Sequence, residues 1–473
     1  MLTVLGFVTI AAILALLISS RVTAIVALIG VPVVAAFVAG YGPAEVGKMI
    51  TAGIGDMVGV VAMFVFAIIF FGVLRDAGMF DPVVRRILRF AGSNPVTVAV
   101  ATALLAMVCH LDGAGASTFL ITIPALLPLY DALGMSRLVL ATVAGLSAGT
   151  MNMVPWGGPT ARASSVVNID ANALWVPLLP AQIVGLTAVV GVAAWLGWRE
   201  KRRLAGTAEL AAGTRTLGRG DRLRASAVHT DPSTPGERAA GSRTQANAPE
   251  QPESASVSTD PSLVRPRLFW VNVALTVATV GVLISGVVSP EMVFMIALVL
   301  ALVINYPGLK RQNARIDAHA RGAILMATTL LAAGVFLGIM DATGMTKAMA
   351  ESIAGVVPAQ LAPLLPLLVG VFAVPMSFLF GPDPYYFGVL PVLTGVGAQF
   401  GVAPADLAQA SIIGEETVGF PLTPLTGSFF LLVGLSQVDI GRHIRHMAPW
   451  AWGVSLVALA VAVITGVVPL WAT

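Results

Sequence analysis

The chain has 473 residues, 57% of them hydrophobic and only 11% charged, with a mean hydropathy of +0.89 and a formal net charge of +3. A soluble globular chain carries about 25% charged residues, so this one has too few to cover its apolar surface in water, and its solvent is the lipid bilayer. The near-neutral balance argues against a nucleic-acid partner. The single cysteine, Cys109, excludes an internal disulfide, and no Cys/His cluster suggests a metal centre.

In chain order, Met1 to Ser20 lacks the basic leader of a secretory signal and reads as a first spanning helix. Apolar runs near the ~20 residues that cross a bilayer lie at 2–20, 23–41 and 57–75. The stretch 95–131 is apolar but interrupted, 138–168 is broken by Gly, Pro and Asn, and 173–197 is again continuous. Residues 200–266 are rich in Arg, Ser, Thr, Ala, Pro and Gly, a composition expected to be a disordered linker. The series then recurs: spans at 268–287, 290–306 and 322–341, an interrupted stretch at 358–400, a broken one at 404–435 and a last span at 448–470.

Gly72, Gly78 and Met79 recur as Gly338, Gly344 and Met345, and Pro155 as Pro421, at an offset of 266; Pro124 and Gly134 recur as Pro391 and Gly401 at 267. The chain thus reads as two repeats, 1–199 and 267–473. Basic clusters at Arg75/Arg85/Arg86/Arg89, 198–203, 309–315 and Arg442/His443/Arg445 all belong in the cytoplasm by the positive-inside rule. That is possible only if 95–131 and 358–400 are re-entrant hairpins entering from opposite faces. The expected fold is an all-α polytopic membrane protein of two inverted repeats, each with five spans and one hairpin. Both termini would then be extracytoplasmic and 200–266 cytoplasmic. Such repeats with broken helices are the signature of secondary transporters, and non-helical backbone at membrane depth is tolerated only around protein or water. The four interruptions should converge on one site.

The candidate site residues follow from these breaks. At the first hairpin tip, Asp112, Gly113, Ser117 and Thr118 offer hydroxyls and backbone N–H groups beside a helix N-terminus. Asp112 could also take a proton or a co-transported cation, while His110 reads as a packing residue or a proton relay. In the break within 138–168, Asn152 can coordinate a cation or donate to a carboxylate, and Pro155, Gly157 and Gly158 unwind the helix. The second hairpin is expected to turn at Gly381 to Tyr386. There Asp383 is an expensive intramembrane charge, and Tyr385 and Tyr386 are phenolic donors. In the last break, Glu415 and Glu416, with Asp383, are candidates for proton coupling, and Thr423 and Thr426 for binding. The alternative for each is a cap, a kink or an ordinary ion pair. Asp56, Asp76 and Asp341 fall at span ends and read as interfacial.

Two hydrolase-like patterns fail on context. Gly145-Leu-Ser-Ala-Gly149 needs a strand–turn–helix elbow but lies in a membrane helix. Gly53-Ile-Gly-Asp56, Tyr130-Asp131 and Pro124-Ala-Leu126 stand in the wrong order for an intramembrane aspartyl protease.

Taken together, LDGAGAST (111–118), NMVPWGGPTAR (152–162), GPDPYYFGVLP (381–391) and GFPLTPLTGSFFLLVGLSQV (419–438) resemble the citrate–Mg2+:H+ / citrate–Ca2+:H+ symporter (CitMHS) family of the ion transporter superfamily. The resemblance covers nearly the whole chain outside 200–265. It implies a plasma-membrane carrier with an elevator mechanism, acting as a homodimer. It implies no cofactor and no dedicated metal site. The partners it implies are protons and a citrate–metal complex; from the residues themselves, the substrate-borne Mg2+, Ca2+ or Fe3+ is expected near Asp112 or Asp383. Sodium-coupled dicarboxylate carriers of the same superfamily have Ser-Asn-Thr at both hairpin tips. Here only Ser117-Thr118 remains at the first, and Asp-Pro-Tyr-Tyr stands at the second. The alternative is a Na+-coupled carrier of another di- or tricarboxylate or an oxyanion; a membrane hydrolase is the reading from a different class.

Overall fold

The computed structural model describes residues 1–18, 22–217, 262–355 and 361–471, and no strand occurs among them. The first half runs α1 (Leu2–Ile18), α2 (Ala24–Val38), α3 (Pro43–Asp76), a short amphipathic α4 (Asp81–Ala91), and a hairpin of α5 (Pro95–Cys109) and α6 (Gly115–Ala132). It continues with α7 (Arg137–Met151), α8 (Gly158–Val167), α9 (Ala171–Trp175) and α10 (Leu179–Leu217). The second half repeats the series from α11 (Phe269–Ser285) through α12 (Pro290–Asn305), α13 (Leu309–Ala342) and a short α14 (Met345–Ala354). Its hairpin is α15 (Leu365–Met376), α16 (Pro382–Pro384), a π-turn at Tyr385–Val389, and α17 (Leu390–Gln399). Then come α18 (Pro404–Gly414), α19 (Gly427–Ser436) and α20 (Ile440–Ile464). Seven helical segments among the described residues are long and apolar enough to cross a bilayer, and α1, α2, α7, α12 and α15 are shorter apolar helices. Proline opens α3, α5, α12 and α18, where the missing N–H would have no helical partner anyway.

The equivalent long helices α3 and α13 cross at a glycine seam. A Cβ on Gly53 would lie 2.1 Å from the Gly334 carbonyl oxygen and 2.9 Å from Gly338 Cα. In lipid, where no hydrophobic force joins helices, small residues four apart let backbones pack this closely. One end of the seam is pinned by charge: Asp76 receives bonds from Arg315 and His319, each at 2.8 Å.

Three expectations change. Residues 200–217 continue α10 rather than starting a linker, and Arg265 N–H is bonded to the Ala77 carbonyl at 2.9 Å, tying 262–266 to the first half. The remainder of the expected linker, 218–261, lies outside the described residues. Asp76, at the end of α3, does not stand free there: its side chain is 17% exposed and paired, because α13 continues past the apolar run and brings Arg315 and His319 alongside. The second hairpin turns at 377–381, earlier than expected, because Pro375 ends α15. That proline leaves the Val371 carbonyl without its helical donor, and the Trp452 indole N–H supplies one at 2.8 Å.

Gly53→Ala should destabilise the protein by about 1–3 kcal/mol through overpacking against backbone. Gly55→Ala, on the same helix with open space around it, should be neutral in thermal unfolding in detergent. Equal stability of the two would contradict the seam.

Candidate functional site

The four chain interruptions meet. At the first tip, the buried His110 sits between Thr118 (Nδ1 to Oγ1, 2.8 Å) and Asn152 (Nε2 to Oδ1, 3.4 Å), and its ring stacks on Phe420. Asn152 caps the end of α7, and its amide nitrogen donates to the Glu416 carbonyl at 3.1 Å. That donor role fixes Oδ1 as the acceptor toward His110, so the imidazole presents Nε2–H to it. One side chain therefore links the first tip, the first break and the second break. The start of α6 also abuts the start of α19, since a Cβ on Gly115 would lie 2.8 Å from Ser428 Oγ.

The second tip closes on the second break in the same way. Ser377 Oγ lies 3.1 Å from Glu415 Oε2 and accepts from Glu416 N–H at 3.2 Å. Contact is so close that a Cβ on Gly419 would stand 2.1 Å from Ser377 Oγ. Glu416 has φ of +52°, a left-handed conformation costing a non-glycine residue about 1–3 kcal/mol. It persists here because its N–H and carbonyl are both held. Glu415 and Glu416 are 0% and 2% exposed, and the Oε1 atom of each has no hydrogen-bond partner.

The expected site residues divide into those held in protein bonds and those left open. Asp112 pairs with Arg75 at 3.3 Å and accepts from Ala114 N–H and Ser117 Oγ, so it stiffens the first tip and ties it to α3. Thr118 is buried beside His110. Pro155, Gly157 and Gly158 form the turn into α8, with Gly157 against the Asn152 carbonyl. Gly113 holds a φ of +72° against Trp156, whose indole donates to the Leu111 carbonyl at 2.8 Å. Tyr385 and Tyr386 are buried, their hydroxyls committed to Ser411 Oγ (2.8 Å) and the Glu415 carbonyl (3.0 Å). Thr423 accepts from Leu425 N–H, and Thr426 donates to the Phe420 carbonyl. Asp383 forms an ion pair with Arg162 of α8 at 2.8 Å, with side chains 20% and 11% exposed.

Arg162, Ser377 and Ser411 were not singled out from sequence. Arg162 carried a usable signal, a basic residue inside an apolar broken span, where charges are rare and paired. Ser377 carried none. The GxSxG serine, Ser147, lies buried inside α7 and donates to the Val143 carbonyl. A recess of about 240 Å3 between α3, α8–α9 and α12 is lined by Asp56, Asp170 and Glu291.

A family model described as citrate transporter matches residues 6–414. The chain belongs to the citrate transporter family. A Bacillus subtilis (strain 168) protein named "Citrate transporter" is 37% identical over 469 residues, covering 99% of this chain and 100% of that protein. From the same organism, a "Mg(2+)/citrate complex secondary transporter" is 36% identical, covering 99% of each chain. Among solved structures, the Alcanivorax borkumensis YdaH transporter aligns over 91% of each chain with a TM-score of 0.58 at 14% identity, a likeness of fold. The chain is therefore a multi-pass membrane transporter, as its composition implied.

In this family member, Asn152→Ala removes the link between the two breaks and leaves the buried Glu416 carbonyl without its side-chain donor. We expect a loss of about 1–3 kcal/mol in stability and a drop in citrate uptake larger than the loss of folded protein. Uptake normalised to folded carrier and left at the wild-type level would show that the bridge has no part in transport.

Proposed function

We propose that the protein takes up citrate complexed with a divalent or trivalent cation, in symport with protons, across the plasma membrane. The observation that carries this reading is the pair of buried carboxylates, Glu415 and Glu416, each with an unpartnered oxygen, where the four interruptions meet. A buried carboxylate is tolerated only when neutral or faced by a cation. Protons on this pair would satisfy that need during transit, and their exchange supplies the coupling.

The cargo follows from charge. Fully ionised citrate is a trianion; bound to a divalent cation it becomes a monoanion, far cheaper to move through a low-dielectric interior. Metal-borne citrate also presents both signs. The free carboxylates suit the N-termini of α6, α8 and α19, and the metal suits carboxylate oxygens. A Mg2+/citrate complex transporter among the relatives agrees with this cargo.

Because His110, Thr118, Asn152, Glu415 and Glu416 are all buried, a ligand reaches them only if a hairpin moves. We take the α3/α13 seam as the static frame and the hairpins with their broken helices as the moving, elevator-type part. With the cationic clusters cytoplasmic by the positive-inside rule, 200–217 would face the cytoplasm and both chain ends the outside.

Labelled citrate uptake into proteoliposomes tests this. Uptake should require Mg2+, Ca2+ or Fe3+, rise when the outside is made more acidic than the inside, and lose its accumulation when a protonophore is added. Glu415→Gln and Glu416→Gln, which mimic the neutral forms, should still equilibrate citrate but no longer concentrate it. Uptake of bare citrate driven by Na+, or none with any metal, would overturn the proposal.

A further inference from the structure

The Arg162–Asp383 pair is the open edge of an otherwise buried junction. Its partners come from different halves: Arg162 from α8, after the first break, and Asp383 from the re-entering arm of the second hairpin. It is also off balance. Glu416, whose Oε1 is buried and unpartnered, belongs to the same junction. Arg162 contributes only Nε to Asp383 Oδ1, so the two terminal nitrogens of the guanidinium make no bond in that pair. An arginine can hold a carboxylate in a two-pronged grip through further N–H groups. Asp383 in turn offers a second carboxylate oxygen, a hard ligand of the kind Mg2+, Ca2+ and Fe3+ take.

We propose that Arg162 and Asp383 bind the cargo by exchanging partners. In the empty carrier they neutralise each other. When the citrate–metal complex arrives, a citrate carboxylate replaces Asp383 on Arg162, and the freed Asp383 replaces a water on the metal. One ion pair becomes two, charge is conserved, and no proton or electron moves in the step. Bare citrate gains the Arg162 contact but strands Asp383 as an unpaired, partly buried anion. A bare cation gains Asp383 but strands Arg162. Only the complex satisfies both ends, so specificity for it comes from the cost of the partner left unpaired. The pair also holds the second hairpin onto α8, so splitting it couples cargo arrival to hairpin movement.

This inference rests on the metal–citrate reading, and the test separates the two. Binding of citrate, alone and with Mg2+, Ca2+ or Fe3+, is measured on purified protein in detergent by calorimetry, beside proteoliposome uptake. If wild-type protein binds and carries citrate with no dependence on any of these metals, the metal–citrate reading itself falls, and this inference with it. Given that dependence, Arg162→Gln should weaken binding of the complex by roughly tenfold or more. Asp383→Asn should instead collapse the preference for the complex over bare citrate toward unity. The double variant Arg162→Gln/Asp383→Asn leaves no unpaired charge, so a pair serving only to fasten the hairpin should regain wild-type binding in it. We expect it instead to regain thermal stability without regaining affinity. Retained metal preference in Asp383→Asn, or restored affinity in the double variant, would overturn the exchange while leaving the transport reading intact.

Discussion

Hydrocarbon offers no hydrogen-bond partner, and that constraint shapes the centre of this protein. A helix that breaks inside the bundle exposes carbonyl and amide groups that cost several kcal/mol each if left bare. Here the breaks satisfy one another. Asn152 donates to the Glu416 carbonyl, Tyr386 to that of Glu415, Trp156 to that of Leu111, Thr160 to that of Met153 and Thr426 to that of Phe420. Gln182 from α10 reaches the Thr150 carbonyl, and His443 from α20 lies within hydrogen-bond distance of that of Pro421. The polar groups that make a transport site conceivable are thus the same groups that make its broken backbone affordable.

The solution is used twice. Thr160 and Thr426 stand at equivalent places in the two halves, and each bonds back to a carbonyl of its own break. His110 and Ser377, also equivalent in position, each bind their own tip to the neighbouring break. The halves differ where chemistry is asymmetric. The first break contributes a neutral amide, Asn152; the second contributes two carboxylates. With Arg162 and Asp383 alongside, the junction holds both anionic oxygens and a guanidinium, the combination that the proposed metal–carboxylate cargo would need.

Much of this was legible from sequence because the signals are compositional. Gly, Pro and Asn interrupting apolar runs located the tips and breaks at 110–118, 150–160 and 413–427, and charges within those runs marked Asp383, Glu415 and Glu416. What sequence could not supply is pairing. Tyr385 and Tyr386 read as free donors until the positions of Ser411 and the Glu415 carbonyl are known. Asp112 read as a ligand until Arg75 arrives from α3. Ser377 looked like any serine, and the turn of the second hairpin was placed too late because its Pro-Asp-Pro run opens the returning helix instead of forming the turn. The start of the linker is hidden in the composition because 200–217, rich in charge and alanine, is polar and yet a good helix former.

Transport by this route requires the cargo to sit where the four interruptions meet. The direct measurement is a structure of the protein with Mn2+–citrate bound, the metal located by its anomalous scattering. One metal peak is expected within coordinating distance of Asp383, with citrate reaching toward Arg162 and the starts of α6 and α19. A metal peak in the acidic recess of Asp56, Asp170 and Glu291, with the central junction still closed, would contradict it.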